Sequence, residues 1–325
     1  MLNVQPVFRR LTGVNSLAMK SPFVEYIEYA GFTIVGAIAR SLSYNTAGRV
    51  GSFLGGVAYR LIGQRRRLTL ENLAHAFPEK TDLERSGIAL AAFRNYGTAL
   101  VEMLWSTGQS VETLIKAVAP GNLDVVKKYF DRAGGLVLLS GHYGNWEFLS
   151  TAFRLQLGKP LAIIAQHQRN RRIDAVLDAS RTRWDNRTIS MGVSSREAFR
   201  ALREGAIVIL LGDQSGPKEA VYIDFFGRPA ATHRGAAAFS LKTGAPLIMV
   251  FMVRQNDGTY KAVCEEVDRG GSEAYTEENV TELTRRHTAM LEKHIRLHPD
   301  HWLWMHNRWK HTEYYEDHKM VEEEA

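Results

Sequence analysis

The sequence predicts an α/β protein, a mixed sheet flanked by helices and preceded by an N-terminal helical region. Three observations carry that reading. From about residue 136 onward, short apolar runs bounded by glycine, proline and polar residues alternate with segments of helical periodicity. Up to about Arg132 the chain shows helical patterns and no convincing strand. Two polar clusters, around His142 and Asp213, each follow an apolar run directly, as ligand-binding loops do at the C-terminal edge of an open sheet.

At 325 residues the chain accommodates one large domain or two smaller ones. Its 45% hydrophobic and 23% charged content describes an ordered globular protein. The single cysteine, Cys264, excludes an internal disulfide framework and suits a reducing compartment; inside the apolar run Tyr260–Glu266 it reads as core filler, not as a nucleophile. With 41 Lys plus Arg against 35 Asp plus Glu, the net charge of +6 favours acidic partners. An anionic membrane surface, a phosphorylated substrate, an acidic carrier protein and nucleic acid all fit it. No recognition helix, zinc finger or aromatic RNA-binding signature supports the last.

Residues 1–22 lack the apolar core and cleavage pattern of a signal peptide. Phe23 to Leu42 is helical, with Phe23, Ile27, Ile34, Ile38 and Leu42 on one stripe and Tyr29 and Phe32 opposite. Only Tyr29 to Ala39 is free of charge, short of the ~20 apolar residues of a membrane span. Val50 to Ile62 is a second apolar piece, ending at Arg65-Arg66-Arg67. Residues 1–66 are therefore expected to form a membrane-associating helical region lying in the interface, its arginines on anionic headgroups; a buried helical pair is the plain alternative. Leu68 to Phe77 is a helix ending before Pro78, and Thr81 to Trp105 another, opened by a Thr81–Glu84 capping box. An α/β domain spans 67–310. Its strands are expected at Leu136–Leu139, Leu161–Ala165, Ile207–Leu211, Val221–Phe225, Pro246–Val253 and Tyr260–Glu266. Its helices are expected at Trp146–Leu157, Ile173–Trp184, Ser194–Arg203, His233–Thr243 and Thr276–Leu297. Residues 311–325 form an acidic tail without a periodic apolar face, expected to be disordered.

The chemistry gathers around Leu136–Glu147. The strand stops at Ser140-Gly141 and delivers His142, after which Asn145 caps a new helix with Glu147 in its first turn. An imidazole so held is a general-base candidate, and a base needs a partner to orient its ring. Glu147 is one possibility and Asp213, in Gly212-Asp213-Gln214 at the end of Ile207–Leu211, is the other. Asn170-Arg171-Arg172 and Arg181-Thr182-Arg183 are either a solvated face or a clamp for phosphate or carboxylate. Phe225-Phe226 at a strand end suits an apolar substrate pocket or the core. The segment from His298 to Trp309 is rich in histidine, but it holds no cysteine and no standard ligand spacing, so no metal site is expected.

Together these motifs resemble the bacterial lipid A late acyltransferases, the lauroyl/myristoyl transferase family that includes phosphatidylinositol mannoside acyltransferases. The resemblance rests on Asn72-Leu-Ala-His-Ala-Phe-Pro78, His142-Tyr-Gly-Asn-Trp-Glu147, Asn170 with Arg181, Asp213-Gln214, Phe225-Phe-Gly227 with Thr232, and Trp304-Met-His-Asn-Arg-Trp309, in that order along the chain. It implies a glycerolipid-acyltransferase-like core held by N-terminal helices on the cytoplasmic face of the bacterial inner membrane. It also implies acyl transfer from a thioester, on acyl carrier protein or coenzyme A, to a hydroxyl of a phosphorylated membrane glycolipid, without metal or organic cofactor. His142 is then the expected base, with Glu147, Asp213 and Arg181 as its catalytic companions. The oxyanion donor is expected to be either a backbone N–H at Gly144-Asn145 or Arg181. Asn145, Asn170, Arg171, Gln214, Phe225, Phe226, Thr232 and Arg308 are expected to bind substrate. The same chemistry on another lipid acceptor, and thioester hydrolysis, are the alternatives.

Overall fold

The computed structural model describes residues 21–119, 121–130, 134–191, 194–271 and 273–316. Four long helices come first. Helix α1 (Pro22–Ser41) is capped by Ser21, and Pro22 sits where an intrahelical N–H partner would be missing anyway. Helix α2 (Tyr44–Leu61) is capped by Ser43, and α3 (Gly63–Ala76) follows almost without a break. Helix α4 (Asp82–Ser106) opens in the expected Thr81–Glu84 capping box. Helices α2 and α4 pack backbone to backbone, since a Cβ on Gly55 would lie 2.1 Å from the Phe93 carbonyl oxygen.

The chain then builds a seven-stranded sheet. Its strands are β1 (Val118–Ala119), β2 (Leu136–Ser140), β3 (Leu161–Ala165), β4 (Arg187–Ser190), β5 (Ile207–Leu211), β8 (Leu247–Arg254) and β9 (Tyr260–Glu266), while β6 (Val221–Phe225) and β7 (Arg228–Thr232) form a separate hairpin. The order is β1-β9-β8-β2-β5-β3-β4, with every neighbouring pair parallel except β8–β9. Helices α5 (Val111–Ala117), α6 (Asp124–Lys127), α7 (Trp146–Leu157), α8 (Arg171–Thr182), α9 (Ser194–Arg203), α10 (Gly235–Thr243) and α11 (Glu277–Leu297) complete the elements. Along β2, Val137 and Leu139 face a layer containing α9, α10 and α11, while Leu136 and Leu138 face one containing α4 and α7. Both faces are covered, so β2 is buried at every position, which is why it reads as a continuous apolar run.

Several expectations need correction. The two-residue β1 lies in the stretch expected to be wholly helical, and the edge strand β4, with Ile189 as its only fully buried residue, was not foreseen. The helix expected from His233 starts two residues later, at Gly235, directly after the unforeseen strand β7 and its short link. Helix α3 begins before Leu68, so Arg65-Arg66-Arg67 lies inside it. In the acidic tail residues 312–316 are helical, and Tyr315 stacks on Tyr222 at 4.3 Å; residues 317–325 lie outside the described residues, as do 1–20 of the N-terminal region. Among the described residues no helix is long and apolar enough to cross a membrane. Helices α1 and α2 nonetheless expose large apolar side chains, Phe23 at 71%, Ile34 at 60%, Phe53 at 69% and Leu61 at 77%.

Candidate active site

Strand register brings the site together. Ser140 of β2 aligns with Leu211 of β5, so the residues two positions further on, His142 and Asp213, stand opposite each other beyond the C-terminal ends of adjacent parallel strands. Asp213 is almost fully buried and its carboxylate is enclosed by donors. His142 Nδ1 lies 2.9 Å from Oδ1, the His142 backbone N–H donates to Oδ2 at 2.8 Å, and the Trp302 indole N–H donates to Oδ2 at 2.9 Å. Burial alone would raise its pKa, but the charge and hydrogen bonds of His142, with Trp302, bring it down to about 2. The carboxylate is therefore an acceptor, so Nδ1 carries the proton and Nε2 of the neutral ring presents its lone pair outward. Burial pulls the His142 pKa down, yet the charge and hydrogen bond of Asp213 and the charge of Glu147 leave it above the ordinary histidine value. Asp213, not Glu147, is thus the ring's direct partner.

Around Nε2 the structure places groups of different kinds. The Gln214 amide nitrogen lies 3.4 Å from it, and the Trp146 ring packs against the imidazole at 5.1 Å, backed by Tyr96. Glu147, in the first turn of α7, is gripped by the last turn of α8: Arg181 donates through a terminal nitrogen at 2.8 Å and through Nε at 3.3 Å. Both side chains of that pair reach solvent, at 20% and 15%. The Gly144 N–H, expected as an oxyanion donor, is occupied by the His301 carbonyl at 2.9 Å. Gly144 itself has φ +58°, and a Cβ there would meet the Met252 carbonyl oxygen at 1.8 Å, so only glycine brings the chain round to Asn145.

Six residues expected to bind substrate are held inside the protein instead. Asn145 is fully buried; it caps α7 through Phe148 N and donates to Glu102 at 3.0 Å. Asn170 caps α8 and donates to the Glu25 carbonyl at 2.7 Å, tying α8 to α1. Phe225 and Phe226 belong to the core, Phe226 with Gly227 forming the tight β6–β7 turn at φ +56° and +75°. Arg308 is buried with its guanidinium on the Ala231 carbonyl (2.6 Å) and the Thr232 hydroxyl (2.7 Å), so these two hold the hairpin to the C-terminal segment. Arg171 is exposed on the first turn of α8. Of the expected binding residues, only Gln214 touches His142.

Sequence reasoning missed the supports. Trp302 has no role in it, and His306 counts only as part of a family motif in a histidine-rich segment. His306, driven to about 4 by burial with the nearby cations of His142, Arg308 and Arg65 against the pull of Asp213, accepts from Ser215 N at 3.0 Å and braces the loop carrying Asp213. The first and last sequence motifs meet here: Asn72 donates to the Trp304 and His306 carbonyls at 2.8 and 2.9 Å. Glu102 lies fully buried behind the site, accepting from Asn145 and Tyr260, with Arg254 3.3 Å away. Its only sequence signal, a carboxylate on the apolar face of a long helix, went unread. Among the described residues no group of three or more His, Cys, Asp and Glu is placed to hold a metal ion.

A family model described as bacterial lipid A biosynthesis acyltransferase matches residues 18–311. The lipid A biosynthesis palmitoleoyltransferase of Escherichia coli K12 is 27% identical over 268 residues, covering 80% of this chain and 84% of that protein. The lauroyltransferase of the same organism is 23% identical over 272 residues, covering 83% and 87%. Its myristoyltransferase is 25% identical over 181 residues, covering 55% of each. The chain belongs to the bacterial lipid A biosynthesis acyltransferase family, whose members transfer acyl groups.

Proposed function

We propose that the protein moves a fatty acyl group from a thioester, carried by acyl carrier protein or coenzyme A, to a hydroxyl of a phosphorylated lipid A precursor. The observation that carries this reading is the His142–Asp213 pair, its Nδ1 locked at 2.9 Å and its Nε2 facing outward beside Gln214. An alcohol is a weak nucleophile, so its proton passes to His142 Nε2 as its oxygen attacks the thioester carbonyl. The tetrahedral oxyanion takes hydrogen bonds from Gln214 and from Arg181, which Glu147 holds in place. Collapse breaks the C–S bond, and the imidazolium returns its proton to the departing sulfur, leaving an ester and a free thiol. Asp213 stabilises the imidazolium while it lasts. Transfer is direct, in a ternary complex, because among the described residues no serine or cysteine is hydrogen-bonded to the His142 ring to offer an acyl-enzyme. The imidazole supplies the base and the thioester an already activated acyl group, so the reaction is proposed without metal or organic cofactor.

The exposed apolar side chains of α1 and α2 support attachment to the cytoplasmic face of the inner membrane, where such an acceptor resides. The net charge of +6 suits both an acidic carrier protein and the acceptor's phosphates. The test is acyl transfer in detergent from acyl carrier protein thioesters to a tetra-acylated lipid A precursor. Wild type should yield acylated glycolipid and His142→Ala at least ~100-fold less. Free fatty acid without acylated lipid would mark a hydrolase, turnover only with other lipids a different acceptor, and an active His142→Ala enzyme would sink the mechanism.

A further inference from the structure

Asn170 is taken up by contacts inside the protein, and one of them creates a place that can hold a ligand. By donating to the Glu25 carbonyl it holds α1 alongside α8, and between the helices runs an open groove of about 480 Å³, within the size range of ligand sites. Tyr29 forms one wall, and Ala175, Val176 and Ala179 the other. The 12 residues of α8 give it a length of ~18 Å. Arg172 closes the Asn170 end, its guanidinium over the Tyr26 and Tyr29 rings at 5.9 and 6.0 Å. At the opposite end two guanidiniums converge on Thr107, Arg183 donating to its carbonyl at 3.2 Å and Arg40 to its hydroxyl at 3.4 Å.

Two exposed guanidiniums hydrogen-bonded to one threonine concentrate positive charge at that end of the groove, and among the described residues no carboxylate lines the groove or pairs with either. Guanidinium forks fit phosphate oxygens better than any other side chain. The groove beside them is apolar, with Ala175, Val176 and Ala179 facing the Tyr29 ring. A phosphate joined to a hydrocarbon chain is the chemistry that satisfies both parts. The location selects which such lipid: Ser180 lines the groove, and the next residue, Arg181, grips Glu147 beside His142.

We infer that this groove is a subsite for the phosphorylated acceptor, with one chain already on the lipid lying between α1 and α8 and a phosphate seated on Arg40 and Arg183 at Thr107. Only the identity of the lipid rests on the acyl-transfer reading. The test measures binding of the tetra-acylated, phosphorylated disaccharide and of its dephosphorylated counterpart to the full chain in neutral detergent, without any donor. Wild type should prefer the phosphorylated lipid by at least ~10-fold. Arg40→Ala combined with Arg183→Ala should erase that preference, while Ala179→Trp, which fills the groove, should weaken both lipids alike. Preference retained in the double variant, or undiminished binding in Ala179→Trp, overturns the subsite. Equally tight, arginine-dependent binding of phosphatidylglycerol would assign the groove to a bulk phospholipid and overturn the acceptor assignment. Lost transfer with this binding pattern intact would count against the acyltransferase reading and not against the groove.

Discussion

Behind His142 the protein is closed, and in front of it the protein is open. The carboxylate behind, Asp213, is 2% exposed and accepts three hydrogen bonds from groups that cannot move independently: the His142 ring, the His142 backbone and Trp302. The carboxylate in front, Glu147, is half-buried and holds a single partner, Arg181, on a helix that also packs against the exposed α1. The contrast teaches a division of labour. A group that must keep one charge and one direction is surrounded by fixed dipoles, whereas a group that must admit a substrate keeps a partner able to turn toward it.

The sharpest way to break that contrast is on the closed side. Asp213→Asn keeps the shape but offers His142 an ambiguous partner, so kcat should fall ~10³-fold with KM little changed, in the acyl-transfer assay. On the open side, Glu147→Gln should cost ~10- to 100-fold, mostly in kcat, because Arg181, the proposed oxyanion donor, loses its anchor while the base remains. Equal losses of kcat in the two variants would show that both carboxylates serve the base directly.

Legibility followed the same line. His142, Asp213, the Asn145 cap and the Thr81–Glu84 box are local signals, a polar residue at the end of an apolar run, and they could be read. The choice between Glu147 and Asp213 could not, because it depends on which strand lies beside β2, and β5 is 71 residues away in contact with it. Phe225, Thr232 and Arg308 were misplaced for a related reason. Arg308 was expected to bind substrate, and only the hairpin folded over it shows two of its guanidinium nitrogens donating to the Ala231 carbonyl and the Thr232 hydroxyl. Strands of two and four residues, β1 and β4, carry too few apolar positions to show a period.

The pH dependence sharpens the comparison. In the proposed mechanism His142 acts unprotonated, and its pKa lies above the ordinary 6.5, so kcat/KM should fall as pH drops through a value higher than that. Since the charge of Glu147 contributes to the rise, the acid limb should move to lower pH in Glu147→Gln; an unmoved limb would separate the two sides completely. Asp213 behaves oppositely. Its stabilisation is present above its unfolded value of 3.8 and is lost as pH falls through about 2.

The smallest effect on chemistry, though not on folding, is expected where the two sides join. Asn145→Ala removes the α7 cap and leaves Glu102 short of a donor, so stability should drop by ~2–4 kcal/mol in urea titration. Glu102→Gln in the same background should recover part of it, since the stranded charge is then gone; no recovery would mean that the cap alone matters.

The indole on Asp213 has one more consequence, and it concerns time. Trp302 holds the dyad from one side, and Leu303 N–H, donating to the His142 carbonyl at 3.1 Å, closes the loop from the other. During synthesis the apolar helices α1 and α2 leave the ribosome well before the segment that completes the site. A nascent chain therefore displays its sticky surface long before it owns a working base, and a chain cut short before residue 302 would reach its destination without being able to react there.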